Sequence, residues 1–212
     1  MKRNLLACGL LILAACSKGG DGGRHFFDPI RGESPYESLY RSQTQERSVS
    51  SNFDIVLQAN VTHWNARLRE AYVEEMTRSF RLSESEQNAL ALEQLAEEES
   101  YVVFILTAMT RDARLNDFHR PNSSWRLSLE DESGDLRVSP TRIERFSSRE
   151  ESQRHFFPSM SRFGETYRIQ FPKYEFKEVD HLILYISGPY GSLRYSFQGD
   201  QSAPSLRFLE VQ

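Results

Sequence analysis

The stretch Tyr101–Met109 reads YVVFILTAM, with apolar side chains at nearly every position. A strand with one wet face alternates apolar and polar residues, whereas a strand covered on both faces has no need to. The run is short for a buried helix and rich in the β-branched and aromatic residues that suit a pleated surface. It reads as a central buried strand, so the rest of the chain must supply cover on both sides.

Working outward toward the N-terminus, Ser83-Glu84-Ser85-Glu86 has the spacing of a capping box and opens a helix through about Glu98. Leu90, Leu92 and Leu95 form its apolar side. Before it, Trp64, Leu68, Tyr72, Met76 and Phe80 recur at every fourth position, the stripe of an amphipathic helix. Arg67, Arg69, Glu70, Glu74 and Glu75 fall on the rest of that wheel. Further upstream, Phe53, Ile55, Leu57 and Ala59 alternate with Asp54, Val56, Gln58 and Asn60, a strand with one buried face.

In the other direction the chain is all strands and turns. Trp125, Leu127 and Leu129 alternate with polar residues, Asp131-Glu132-Ser133-Gly134-Asp135 turns the chain, and Leu136 and Val138 return. Tyr167, Ile169 and Phe171 form another alternation that Pro172 ends. Leu182–Ile186 is a further apolar strand, and Gly188-Pro189-Tyr190-Gly191 turns it into Leu193, Tyr195 and Phe197. Leu206, Phe208 and Val211 make a last short strand. About eight short strands suggest a mainly β protein, an immunoglobulin-like antiparallel β-sandwich with a helical hairpin inserted after the first strand. The alternative is an α+β open sheet with the helices on one face.

Composition narrows the function classes. The 212 residues are 39% hydrophobic and 26% charged, with a net charge of −4, which suits a globular domain and disfavours nucleic acid as a partner. Arginines such as Arg67, Arg78, Arg81, Arg111 and Arg114 are interleaved with acids and form no basic stripe.

No catalytic or metal-binding constellation emerges. His25, His63, His119, His155 and His181 make no paired-ligand spacing. Asp112, Asp117 and His119 could form at most a weak cation site, and a polar loop before Pro121 accounts for them equally. Asp131, Ser133 and Asp135 alternate around Gly134 as calcium ligands would, and also as a solvated hairpin tip does. Glu97-Glu98-Glu99 reads as a charged helix end. Gly191-Ser192 lacks the flanking residues of a nucleophile elbow, and Gly19–Gly23 follows no strand, so it is no phosphate loop. Asn60-Val61-Thr62 and Asn122-Ser123-Ser124 match glycosylation sequons, a pattern common by chance. Trp64 and Trp125 lie on apolar faces and read as core. No catalytic residue, cofactor or metal is therefore assigned.

The N-terminus carries the one specific motif. Lys2 and Arg3 precede the apolar stretch Leu5–Leu13, which is too short to span a bilayer. Leu13-Ala14-Ala15-Cys16 then resembles the lipobox of bacterial lipoproteins. The resemblance implies cleavage before Cys16, lipidation of its thiol, and a mature protein without Lys2, Arg3 or Cys8 and so with a net charge of −6. It also implies a cell-envelope location, with the membrane as partner through the lipid on Cys16. Ser17 in place of aspartate favours the outer membrane if the source is Gram-negative.

The organisation expected is a signal peptide at 1–15, a lipidated N-terminus and flexible tether at 16–50 beginning Ser17-Lys18-Gly19-Gly20, within which Phe26, Phe27, Tyr36, Leu39 and Tyr40 are apolar enough to pack on the protein's own domain, and one β-rich domain at 51–212. The functional expectation is a lipid-anchored envelope protein of non-catalytic, protein-interaction or structural type, with another envelope protein as partner. An envelope enzyme or small-ligand-binding lipoprotein is the alternative.

Overall fold

A computed structural model of the chain describes residues 34–51, 53–146, 151–177 and 179–199. In chain order the elements are α1 (Pro35–Ser42), β1 (Thr44–Ser51), β2 (Asp54–His63), α2 (Ala66–Phe80), α3 (Glu84–Ser100), β3 (Tyr101–Thr110), β4 (Arg126–Glu130), β5 (Arg137–Val138), β6 (Arg142–Phe146), α4 (Glu151–Phe156), β7 (Glu165–Pro172), β8 (His181–Gly188) and β9 (Gly191–Gln198). The protein is mainly β. The strands form two antiparallel sheets, one ordered β1-β2-β3-β7-β6 and the other β5-β4-β8-β9.

The two sheets share one sandwich-like core. Leu57, Ala59, Phe104, Leu106, Ile169 and Phe171 of the first sheet join Leu127, Leu129, Leu184, Ile186, Leu193 and Tyr195 of the second in a single buried cluster. On the opposite face of β3, Val103 and Ile105 meet Trp64, Leu68, Tyr36, Tyr40 and Phe157, so helices and the segment after α4 cover the outside. Tyr101–Met109 is thus the strand sealed on both faces that its composition requires. Burying Phe104 and Leu106 on one side and Val103 and Ile105 on the other stabilises the fold by roughly 1.5–3 kcal/mol per side chain.

Local signals set several boundaries, the first and last of these as expected. Ser83 caps α3 in a complete capping box with Glu86. Asn65 caps α2 by accepting from the Leu68 N–H. The 131–135 turn pairs β4 with β5 through Leu129 and Val138, and Gly134 takes φ +78° there.

Several expectations need correction. Residues 34–51, read as part of a tether, are folded: Ser34 caps α1, and β1 pairs with β2 from Thr44 opposite Thr62 to Ser51 opposite Asp54. Tyr36 and Tyr40 drive this, since both are buried against the outer face. As a result the helical hairpin follows the second strand rather than the first. Phe53 and Ile55 do not share the buried face of Leu57 and Ala59. Val56 is the extra residue of a β-bulge between Val49 and Ser50, and β2 overhangs β3 beyond Leu57 opposite Thr110. Arg69 and Glu75, placed on a solvated face, are buried, whereas Leu92, placed on the apolar side of α3, is exposed. Two elements, β6 and α4, carried no clear period. The last strand at Leu206–Val211 lies outside the described residues, as do residues 1–33 with Cys16 and Ser17.

Candidate interaction surface

Strand register brings four connections to one end of the sandwich. The β1–β2 turn projects past the end of β3 at Thr110. The loop from Arg111 to Trp125 leaves β3 there. Residues 161–164 enter β7 beside it, because Glu165 pairs with Ala108. The β8–β9 turn closes the group, with a side chain at Gly191 lying 3.1 Å from Val49 and one at Gly188 colliding with the Trp125 ring.

Large hydrophobic side chains stand out of this end. Phe53 in the β1–β2 turn is 108% exposed and Phe163 is 88% exposed, while Ile55 and Tyr190 are about half exposed. Phe53 also has φ +67°, a left-handed conformation that costs a bulky L-residue about 1–2 kcal/mol. A fully exposed aromatic on a strained turn makes no contribution to the core that offsets this cost.

The platform beneath these tips is rigid. Trp125 is buried, stacks on Phe118 at 6.0 Å, and donates its indole N–H to the Leu115 carbonyl at 2.9 Å. Tyr167 donates its hydroxyl to the Asn116 carbonyl at 2.7 Å, which pins the long loop to β7. Burial, with Glu165 nearby, pushes the Tyr167 phenol up to about 12.

The sequence candidates for chemistry are dispersed or internally satisfied. Asp112 is bound by Arg114, whose hydrogen bonds hold its carboxyl at about 2. Asp117 accepts from Ser123 at 2.8 Å, and His119 stacks on Tyr167. Asp131 accepts from Ser133 and from the Leu136 N–H, which hold its carboxyl low. His63 is buried against Phe104, and His181 begins β8 on the surface. Trp64 is core, as its apolar stripe suggested.

Two polar arrangements were not legible. Glu97, expected at a solvated helix end, accepts from Arg168 at 2.8 Å, from Gln170 at 2.7 Å and from fully buried Arg69 at 2.7 Å. Arg69 also donates to the Trp64 carbonyl at 3.1 Å. His155 meets buried Glu75 at 2.7 Å, but the Ser79 hydroxyl donates to that same carboxylate rather than to the ring. The trio therefore has no nucleophile–base order. A shallow polar cavity of about 250 Å³ lies among Tyr40, Thr44, Glu46, Asn60 and Ser159, and a smaller apolar one of about 110 Å³ among Val102, Phe176, Val179 and Leu182. Neither cavity brings a histidine together with carboxylates.

Sequence reasoning missed Phe163 altogether and placed Phe53 inside. The available signal was that Phe163, between Arg162 and Gly164, belongs to no apolar period. Among the described residues no helix is long and apolar enough to cross a membrane. Comparison of the chain with protein-family models, with curated proteins and with solved structures gives no match.

Proposed function

We propose that this is a lipid-anchored protein of the bacterial envelope, held through Cys16, whose domain is a non-catalytic contact module. The supports for the anchor are the lipobox Leu13-Ala14-Ala15-Cys16 and the charged and apolar stretches before it, and Ser17 favours the outer membrane. The observation that carries the module reading is the aromatic loop end: Phe53 and Phe163 are held out in solvent on a rigid platform, one of them at a conformational cost. In this reading the domain performs no reaction, and it meets another component of the envelope through that end.

The finer fold reading, immunoglobulin-like, is supported by strand order. Leaving β1 aside, β2-β3-β7-β6 and β9-β8-β4-β5 follow the A-B-E-D and G-F-C-C′ orders of that fold. A buried tryptophan at the entry to the third strand of the series, Trp125 before β4, is a second parallel. The chain departs from the antibody pattern in lacking a cysteine pair between the sheets and in carrying α2 and α3 between β2 and β3.

The test is site-specific photocrosslinking in the native envelope. A photoreactive residue at 53 or 163 is expected to form adducts with another envelope component, and one at exposed Leu92 or Tyr174 is not. Adduct yields equal at all four positions would overturn the reading.

A further inference from the structure

We propose that the loop end is a membrane-docking surface, in which Phe53 and Phe163 enter the hydrocarbon of the bilayer that holds the Cys16 lipid. This rests on the lipid-anchored reading above and names the partner of the loop end.

Three observations point to lipid rather than to a protein face. The tips are separate prongs, so each can be wrapped only by a deformable apolar medium or by a partner with matched sockets. Their exposures, 108% and 88%, leave nearly the whole of each ring to be buried by the acceptor. The end also carries several cations of an acidic chain: Arg111, Arg114, Arg120 and Arg162 lie in its loops, and Arg126 opens β4 beside them. Asp54 pairs with Arg111, Asp112 with Arg114 and Glu165 with Arg145, which leaves Arg120, Arg126 and Arg162 as the arginines of this end with no ion pair among the described residues. Guanidinium groups behind inserted aromatics match anionic phospholipid headgroups.

Geometry permits the contact. The chain between Cys16 and Ser34 can reach at most about 60 Å, at 3.3–3.6 Å per residue, which is longer than a small domain is wide. A lipid anchor keeps the bilayer at high effective concentration, so weak insertion suffices to orient the domain.

Tryptophan quenching in the lipidated full chain tests this. Trp64 and Trp125 are both buried, so a tryptophan placed at 53 or 163 reports separately. The mature protein carrying Phe53→Trp or Phe163→Trp is reconstituted into phosphatidylethanolamine–phosphatidylglycerol vesicles. Its emission is expected to shift to the blue and to be quenched by phospholipid brominated in the acyl chain, while Leu92→Trp and Tyr174→Trp stay unquenched. No quenching at 53 and 163, or equal quenching at all four sites, overturns the proposal. Adducts with a protein at 53 without quenching would sink this inference and leave the contact-module reading standing. An unmodified Cys16 in the mature protein would remove the anchor on which both depend.

Discussion

Phe53 holds a backbone conformation that its side chain resists, and nothing in the fold requires a phenylalanine there. Phe53→Gly removes the strain of φ +67° and adds unfolded-state entropy, so stability is expected within about 1 kcal/mol of the parent. Chemical denaturation checks it: a loss well beyond that would mean that the ring has a packing role. Trp125 is the opposite case, a large ring with stacking partners and a satisfied N–H. Trp125→Ala is expected to cost about 3–5 kcal/mol. Gly188→Ala is expected to lower stability by about 1–3 kcal/mol, because its methyl would lie 2.6 Å from the Trp125 ring. A denaturation midpoint unchanged by either substitution would contradict the rigid platform.

Between elements, the polar contacts that matter are the ones hidden under helices. Glu97 joins α3 to α2 and β7 through Arg69 and Arg168. Burial pushes its carboxyl up, but the Arg168 hydrogen bonds and both guanidinium charges outweigh this and leave it below the ordinary range. A depressed folded-state value means that the stabilisation is complete above the unfolded value, about 4.3, and is lost as pH falls through the folded one. Denaturation midpoints should therefore drop below pH 4, with a shallower drop in Glu97→Gln. That variant is also expected to lose about 3–5 kcal/mol at pH 7, since it leaves the Arg69 charge buried and uncompensated. The α1–β1 unit makes a second prediction. Limited proteolysis should cut before Ser34 and spare residues 34–51, whose backbone is paired and whose Tyr36 and Tyr40 are buried. Cleavage within 44–51 at a rate like that before residue 34 would show β1 to be undocked.

Taken together, the sandwich has a covered outer face, a packed centre and one end that presents aromatic and arginine side chains. The sequence has no cysteine beyond Cys16, so no disulfide joins these elements, and burial, hydrogen bonds and ion pairs such as Arg69–Glu97 hold them. Cys16→Ser is expected to abolish lipidation and leave an unprocessed precursor. Mass spectrometry of the mature N-terminus decides it, and an unmodified peptide that begins elsewhere would refute the anchor.

The central strand, the capped helices and most strand alternations were written in the sequence, because periodicity and caps act between residues close along the chain. The resemblance of Leu13-Ala14-Ala15-Cys16 to a lipobox likewise rests on neighbouring residues. Position in space was not written there. Residues 34–51 look like linker by composition, yet two tyrosines find a surface made by Trp64, Phe156 and Phe157, residues distant in sequence. Arg69 and Glu97 look like surface charges until α2 and α3 fold over β7. Phe53 reads as a buried position until a bulge and an overhanging turn carry it past the end of β3. The chain itself determines which segments become strands and helices, since those choices are settled by local sterics and hydrophobic pattern. Only the tertiary structure decides which charges are buried and which aromatics are left outside, because both depend on what the other elements cover.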